Sequence, residues 1–500
     1  MQAIEDFFRA IQNWVWGPAA WAVLLGGGIF LTFRFKWFQF TRFKHIMDVT
    51  IVDMFRKPEK KKSPMIGQGD VSPWQALMTS FSGTMGVGTL AGTATAIGWG
   101  GPGAIFWMWV VGFFGMATKV NEIILTLHFR SKNSKGEVLS GPFAYMEKGL
   151  NKRWLALIFA FFGAIGAFGI GNMVQSNSAG AALAHVFMVG ESDDAITRFR
   201  LIVGLVAAFF IGLVIIGGIK SIARTMDKVI PFLAVVLIIS TVILVLTSLG
   251  DVPYALGLIF RGAFSSQSLS GGVAGVAVMY AVRLGLQRGI FSNEAGLGSS
   301  PIAYAPSKTD HPAKPAFWGF FEVFFDTHVL CTLVALVILT QVPLDVIQPS
   351  FVDQDLGMTG ASLFIYSFQN SFLGQYSLFG YDIGGLMTGL LMATFGFTTV
   401  IGWAYVGEKC FEYLLGPVFG MKLRIFYRFA ILPAAVFGAY GGVGMIWAIA
   451  DVLNAFMAIP NIISAVILSG VSMKLLDSYF KKEKYVPRDD AFGYDDLKKE

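Results

Sequence analysis

The sequence has little charge and almost no cysteine. Of its 500 residues only 14% are charged, two are cysteine, and 55% are hydrophobic. An ordinary soluble domain carries about 25% charged residues, so this deficit excludes a chain built from several soluble domains. The mean hydropathy is +0.62, and apolar runs of about 20 residues recur along the chain. This composition is typical of a polytopic helical membrane protein.

Other absences exclude further classes of protein. Cys331 and Cys410 each lie in an apolar run, so we expect neither a structural disulfide nor a metal site. The chain has no phosphate-binding glycine loop, no nucleophile elbow and no histidine cluster. We therefore predict that it is not an enzyme, that it has no cofactor, and that an ion gradient drives its function.

The net charge of +6 does not indicate a nucleic-acid partner. No basic helix with interleaved aromatic residues is present, whereas basic residues collect in the cytoplasmic loops of membrane proteins. The loop at 34–62 is the most basic one, and the loop at 191–194 is acidic. By the positive-inside rule the N-terminus lies outside the cell and the C-terminus in the cytoplasm.

About eleven apolar segments predict membrane-spanning helices, which makes the fold class all-α and polytopic. In chain order they are 17–33, 74–98, 104–129, 155–186, 201–219, 230–249, 271–304, 316–340, 384–405, 424–440 and 448–468. The residues before them lack the charged region of a signal peptide and predict an interfacial amphipathic helix. Residues 475–500 predict a charged cytoplasmic tail, disordered from 481 onward.

Without the first span, ten spans remain, which divide into two halves of opposite direction. The halves cover 74–250 and 271–474, while 1–73 holds the interfacial helix, the first span and the basic loop. This arithmetic predicts a five-plus-five inverted repeat. Each half begins with a glycine-rich apolar stretch, at 80–101 and at 288–301. Glycine and proline interrupt helices, so we predict two broken helices, where transporters bind ions and substrates.

The first glycine-rich stretch has the chemistry of an ion and carboxylate site. Its relevant residues are Gly83, Thr84, Gly86, Gly88, Thr89 and Gly92. Unwound carbonyls suit Na+, and freed N–H groups suit a carboxylate. Close helix packing through small residues is the alternative, but the second break favours a binding site. The hydroxyls of Thr398 and Thr399 could complete a Na+ site with carbonyls of 83–87, or could bond to their own helix.

Three amides lie in the fourth span. Asn172 and Gln175 are three residues apart and are expected to share a helix face, with Asn177 close by. A buried amide needs hydrogen-bond partners. These side chains therefore either bind a substrate or join helices, and Gln175 is the candidate ligand.

Acidic residues inside apolar spans are costly and usually functional. They are Glu122, Glu294, Glu322 and Asp326. Lys119 and Glu122 are spaced to pair along one helix. Glu294 lies in the second break, where we expect it to accept from loose backbone N–H groups. Asp326 could form a proton relay with His328, or could cap the broken helix.

Several long motifs resemble those of the alanine/glycine:cation symporter family. They are RGIFSNEAGLGSSPIA, GGPGAIFWMWVVGFFGMATK, GIGNMVQSNS, SKTDHP and GWAYVGEKCFEYLLG. The resemblance extends over about 16–474. It implies a fold like that of the leucine transporter, coupling to Na+, and uptake of L-alanine, glycine or a similar amino acid. It also implies the inner membrane of a bacterium or archaeon.

The resemblance further implies a binding site between the two broken helices. The substrate-binding residues would be Thr84, Gly86, Gly88, Thr89, Gln175, Phe291 and Ser292. The Na+ ligands would come from Gly83, Thr84, Val87, Thr398 and Thr399. The first break departs from the family pattern, because Val87 replaces a threonine and Thr89 replaces an asparagine. Both changes remove polar groups and bear on substrate identity and ion stoichiometry.

The sequence thus predicts a symporter that imports Na+ with a small neutral amino acid through the lipid bilayer. One alternative is a proton-coupled or differently selective amino-acid transporter that uses Glu322 and Asp326. Another is a channel or a sensor that does not transport. The preferred amino acid, the ion stoichiometry and the oligomeric state stay open.

Overall fold

The protein is helical throughout the part of the chain that the structure describes. This structure, a computed structural model, describes residues 2–52, 69–264, 274–347, 358–416, 418–440 and 443–487. Within these ranges the strands form only two short antiparallel hairpins. Strand β1 (Ser131–Lys132) pairs with β2 (Val138–Leu139), and β3 (Ser377–Leu378) pairs with β4 (Tyr381–Asp382).

The helices follow one another with short connections. They are α1 Gln2–Val15, α2 Pro18–Arg34, α3 Phe38–Thr41, α4 Phe43–Met47, α5 Pro73–Thr84, α6 Thr93–Gly100, α7 Gly103–His128, α8 Pro142–Ala144, α9 Arg153–Phe187, α10 Asp193–Ile215, α11 Gly218–Thr247, α12 Val252–Phe264, α13 Ala274–Asn293, α14 Ser299–Tyr304, α15 Ala313–Gln341, α16 Leu344–Ile347, α17 Gly360–Gln369, α18 Ile383–Leu414, α19 Phe419–Tyr440, α20 Val443–Ile467 and α21 Ser469–Phe480. Wider π-helical turns occur at Asp48–Val52, Gly88–Gly92, Tyr145–Gly149, Gly169–Met173 and Phe324–Leu330.

Eight of the described helices are long and apolar enough to cross a membrane. They are α7, α9, α10, α11, α15, α18, α19 and the part of α20 from Ile446 onward. The first predicted span, α2, has 17 residues. The second and seventh predicted spans are interrupted, so neither is a single long helix. The all-helical membrane fold is confirmed, while the count of eleven and the domain limits stay predictions.

The helices of the two predicted halves pack against each other in pairs. The first broken helix contacts the second, α7 contacts α15, α9 contacts α18, and α10 contacts α19. Each of these helices thus contacts the one at the corresponding position of the other half. An inverted repeat with a pseudo-two-fold axis in the membrane would produce this pairing. The repeat itself stays a prediction.

The first broken helix is interrupted between α5 and α6. A capping box formed by Ser72 and Gln75 starts α5. The helix leaves helical geometry at Met85, where ψ is 73°, and the N–H of Gly86 donates to the Thr84 carbonyl at 2.9 Å. The π-helical turn at Gly88–Gly92 then leads into α6. The break thus lies inside the predicted stretch.

The second broken helix is interrupted between α13 and α14. Glu294, Gly296 and Gly298 have positive φ angles of 55°, 91° and 81°. Glycine adopts this region without steric cost, which explains two of the three positions. The prediction that Gly289 weakens the helix is wrong, because Gly289 lies within α13. It serves close packing instead, since a Cβ there would overlap Val111 of α7.

The half-helices are sorted by membrane face. The N–H of Lys308 donates to the Val71 carbonyl at 2.9 Å, so the start of α5 and the end of α14 share one face. We call this the Tyr304 face. Gly100, at the end of α6, packs against Leu284 of α13 on the opposite side of the breaks. We call that side the Gly100 face.

The predicted tail is ordered over its first part. Helix α21 extends to Phe480, and the Tyr485 hydroxyl lies 3.1 Å from Nδ1 of His128. Tyr485 also contacts the His311 ring edge-on, with centroids 5.5 Å apart. Disorder is therefore wrong for 481–487, because these aromatic contacts hold the segment on the Tyr304 face. Residues 488–500, and the basic residues Arg56, Lys57 and Lys60 to Lys62, lie outside the described residues.

A charged contact fixes the first hairpin to α19. Arg424 donates two hydrogen bonds to Glu137, one of them at 3.1 Å, and this guanidinium lowers the pKa of Glu137 from 4.5 to about 2. A depressed carboxyl pKa stabilises the fold above the unfolded value, and the effect disappears as pH falls toward the folded value.

We expect Glu137→Gln to lower the melting temperature of the detergent-solubilised protein by a constant amount between pH 7 and 5. The difference from the unmodified chain should shrink between about pH 4.5 and 2, where Glu137 becomes protonated. Asp310→Asn, which removes an exposed ion pair with Lys314, is the control with little expected effect. A Glu137→Gln difference that persists undiminished at pH 2 would contradict this assignment.

Candidate functional site

The two breaks touch each other through glycines. A Cβ at Gly83 would lie 3.2 Å from Oε1 of Glu294, and a Cβ at Gly88 would lie 3.0 Å from Cδ1 of Phe291. Small residues allow membrane helices to approach this closely. The structure therefore brings the predicted residues Gly83, Gly88, Phe291 and Glu294 together at one place.

Helix α18 adjoins the first break at Thr399. A Cβ on Gly86 would overlap Oγ1 of Thr399. The hydroxyls of Thr398 and Thr399 both donate to the Phe395 carbonyl at 2.9 Å, which is the alternative arrangement considered for them. A hydroxyl that donates its proton keeps two lone pairs on oxygen. These bonds therefore orient the oxygens and leave them able to bind a cation.

Gln175 contacts the backbone of the first break. Its Oε1 accepts from the Val87 N–H at 3.3 Å, and its Nε2 donates to the Ile170 carbonyl at 3.1 Å. The expectation that Asn172 shares its face is wrong. Asn172 donates to the Ile431 carbonyl of α19 instead, because the π-helical turn at Gly169–Met173 changes the helical register between the two amides.

Glu294 does not accept from backbone N–H groups in the described contacts, contrary to prediction. Its Oε1 accepts from Trp403 at 2.7 Å, and its Oε2 accepts from the Ser299 hydroxyl at 2.5 Å. The freed N–H of Gly296 donates to Glu122 at 3.3 Å. The cause is placement, since Gly296 lies beside α7 while the Glu294 carboxylate faces α5 and α18.

Lys119 does not pair with Glu122, although their spacing predicts it. The Lys119 ammonium donates to the Asn293 carbonyl at 2.8 Å and to the Ser300 hydroxyl, and lies 3.3 Å from Glu322. Both charged side chains are fully buried. The second break offers this cation a free carbonyl, a hydroxyl and a carboxylate, and a buried charge requires such partners.

Glu322 accepts hydrogen bonds from both broken helices. The donors are the hydroxyls of Ser80 at 2.8 Å, Thr84 at 3.1 Å, Tyr304 at 2.9 Å and Ser300 at 3.4 Å. Thr84 was predicted to bind both substrate and Na+. In this structure its proton is directed at Glu322 instead.

Asp326 binds two further residues predicted to contact substrate. Its oxygens accept from Thr89 at 2.5 Å and from Ser292 at 2.6 Å. The described contacts include no bond between Asp326 and His328, whose ring stacks on Phe324 at 5.8 Å. The relay interpretation is therefore not supported by this geometry, whereas Asp326 does bind the last turn of α13.

A buried ion pair near the site was not predicted. Arg288 lies 3.1 Å from Asp451 of α20, both side chains are fully buried, and the guanidinium lies 4.5 Å from the Trp447 ring centroid. Trp447 in turn packs against Phe291 at 5.1 Å. An acid inside the apolar run of α20 was the available signal. The indole of Trp403 gave no comparable signal.

Comparison with known proteins identifies the family. The profile of the sodium:alanine symporter family matches residues 1–492. The sodium/alanine symporter AgcS of Methanococcus maripaludis is 43% identical over 467 residues, which cover 93% of this chain and 94% of the relative. The protein named probable sodium/glutamine symporter GlnT of Bacillus subtilis is 34% identical, with 99% and 95% covered.

A solved structure of a Na+-coupled sialic acid symporter covers 91% of this chain and 98% of its own. Its TM-score is 0.49 and its identity is 12%, which carries no inference about function. The family profile and the 43% identical relative both span nearly the whole sequence. The chain is therefore a multi-pass membrane transporter that belongs to the sodium:alanine symporter family.

Proposed function

We propose that the protein imports a small neutral amino acid, L-alanine or glycine, together with Na+ by alternating access. The observation that carries this proposal is the meeting of the first break with Thr399 and Gln175. No cofactor is needed, because Na+ is the coupling ion and is itself transported. The protein would lie in a bacterial or archaeal inner membrane with its N-terminus outside. Impermeant thiol labelling of intact cells carrying Trp14→Cys, at a side chain 79% exposed, tests that orientation.

The Na+ site would lie between the first break and α18. Na+ prefers oxygen ligands, and the Thr399 oxygen lies directly against Gly86. Thr398, the next residue along α18, would supply a second hydroxyl. The Glu294 carboxylate next to Gly83 would add a negative charge that attracts the cation. The remaining ligands would be backbone carbonyls of 83–87.

The amino acid would bind on the other side of the first break. Its carboxylate would take the Val87 N–H that Gln175 now holds at 3.3 Å. Gln175 would then be free to receive the amino group. The Phe291 ring against Gly88, backed by Trp447, leaves little space for a side chain. This crowding supports alanine or glycine over glutamine as the substrate.

The Lys119–Glu322 pair supports Na+ over H+ as the coupling ion. A buried carboxylate with an ammonium 3.3 Å away stays charged without binding a proton. The proton-coupled alternative would need Glu322 or Asp326 to gain and lose a proton during each cycle. Uptake driven by a pH gradient in Na+-free buffer would favour that alternative.

We expect Thr398→Ala/Thr399→Ala to raise the Na+ concentration for half-maximal uptake at least about tenfold. The change removes two cation ligands, and by linkage it should weaken amino-acid binding by a similar factor. Labelled alanine uptake into proteoliposomes over a Na+ series measures both effects, with glycine and glutamine as competitors. Thr388→Ala is the matched control, because Thr388 is a buried, back-bonded threonine on the same helix. An unchanged Na+ dependence in the double variant would overturn this site.

A further inference from the structure

Two acids of α15 hold different parts of the broken helices. Glu322 and Asp326 are four residues apart and fully buried. Glu322 accepts from Ser80 and Thr84 of α5 and from Ser300 and Tyr304 of α14. The hydroxyls that Glu322 receives thus come from the two half-helices that share the Tyr304 face.

Asp326 holds the other two parts of the broken helices. Its Oδ1 accepts from Thr89, in the turn that leads into α6, and its Oδ2 accepts from Ser292, in the last turn of α13. Both of these segments extend toward the Gly100 face, where Gly100 packs against Leu284. Four residues on one helix therefore separate a contact for one face from a contact for the other.

The helix that carries the two acids has a weak point beside them. The π-helical turn Phe324–Leu330 begins after Glu322 and includes Asp326. A π-helical turn inside an α-helix is rare and is frequently found at functional sites. Its looser geometry lets one acid change partners while the other keeps its own.

We propose that Glu322 and Asp326 are two clips that close opposite faces of the transporter. Opening toward the Tyr304 face separates α5 from α14 and releases the hydroxyls from Glu322. Opening toward the Gly100 face separates α6 from α13 and releases Thr89 and Ser292 from Asp326. In this structure both clips are closed. The inference rests on the proposed transport function, because alternating access requires opening at both faces.

Lys119 strengthens the Glu322 clip without making it directional. Its ammonium contacts Glu322, Ser300 and the carbonyl of Asn293, which ends α13. The cation keeps Glu322 ionised, and an ionised acceptor forms stronger hydrogen bonds than a neutral one. The two acids act through the half-helices that they hold, so they are positioning residues in this scheme.

The test uses thiol reporters at the two faces in detergent-solubilised protein that lacks Cys331 and Cys410. Ser307→Cys reports on the Tyr304 face, and Leu284→Cys reports on the Gly100 face. Both positions are buried now. We expect Glu322→Gln to raise maleimide labelling at Ser307→Cys about tenfold, and to leave Leu284→Cys unchanged or lower. We expect Asp326→Asn to do the reverse.

Opposite directions separate gating from general damage. A merely structural role would raise labelling at both reporters in both variants, and that result, or no change in either, would overturn the proposal. Glu408→Gln is the matched control, a buried acid paired with Arg428 away from the breaks. If Glu322→Gln does not fold, Lys119→Met/Glu322→Gln replaces it. Labelling needs no substrate, so a failure of Na+-coupled uptake is read separately.

Discussion

We expect Gly86→Ala to abolish Na+-driven alanine uptake, with a loss of at least about 100-fold. The new Cβ would overlap Oγ1 of Thr399 and lie 3.5 Å from Oε1 of Gln175. The first break would have to move away from both side chains. Displacements of about 1 Å at a binding site cost about 100-fold in enzymes, and a coupled Na+ and amino-acid site is similarly sensitive. Initial uptake rates in proteoliposomes measure the loss.

Gly92→Ala is the matched control in the same segment. The nearest atom to its Cβ would be the Val87 carbonyl oxygen at 3.9 Å, so this variant should keep its activity. Gly86→Ala/Thr399→Ala removes the overlapping oxygen and should regain amino-acid binding without strong Na+ dependence. Full Na+-dependent uptake by Gly86→Ala would mean that the break does not contact α18 during transport.

We expect Lys119→Met to lower the free energy of unfolding by about 3–5 kcal/mol. The variant leaves the buried Glu322 carboxylate without its cation, and breaking a buried ion pair from one side has a cost of this size. It also leaves the Asn293 carbonyl without the Lys119 ammonium that it accepts from. Thermal unfolding in detergent should show a large drop in melting temperature.

Lys119→Met/Glu322→Gln should recover much of the lost stability, because both charges are then removed. Lys314→Met tests whether the effect belongs to burial, since the Lys314–Asp310 pair is exposed and should contribute less than about 1 kcal/mol. A Lys119→Met protein that melts with the unmodified chain would show that Glu322 does not depend on this cation.

The two breaks could be predicted because they follow from local chemistry. Gly296 and Gly298 adopt positive φ angles that glycine alone adopts freely. Gly289 could not be told apart from them, because a glycine that admits a neighbouring helix and a glycine that turns the chain look alike in sequence. Only the overlap that a Cβ would make with Val111 identifies its packing role.

The partners of the buried charges could not be predicted, because they come from distant parts of the chain. Sequence spacing suggested Glu122 for Lys119, yet the fold presents Asn293, 174 residues away, and Glu322. The same reason separates Asn172 from Gln175, since a π-helical turn changes the register that the spacing assumes. Helix periodicity finds neighbours within a helix, but tertiary packing chooses among them.

The central claim, Na+-coupled uptake of a small amino acid, is tested most directly in proteoliposomes. Uptake of labelled L-alanine and glycine would be measured with Na+ outside, with choline in its place, and with a pH gradient in Na+-free buffer. We predict saturable uptake that requires the Na+ gradient and does not respond to the pH gradient alone. Uptake driven by the pH gradient without Na+, or no uptake of either amino acid by the folded protein, would contradict this account.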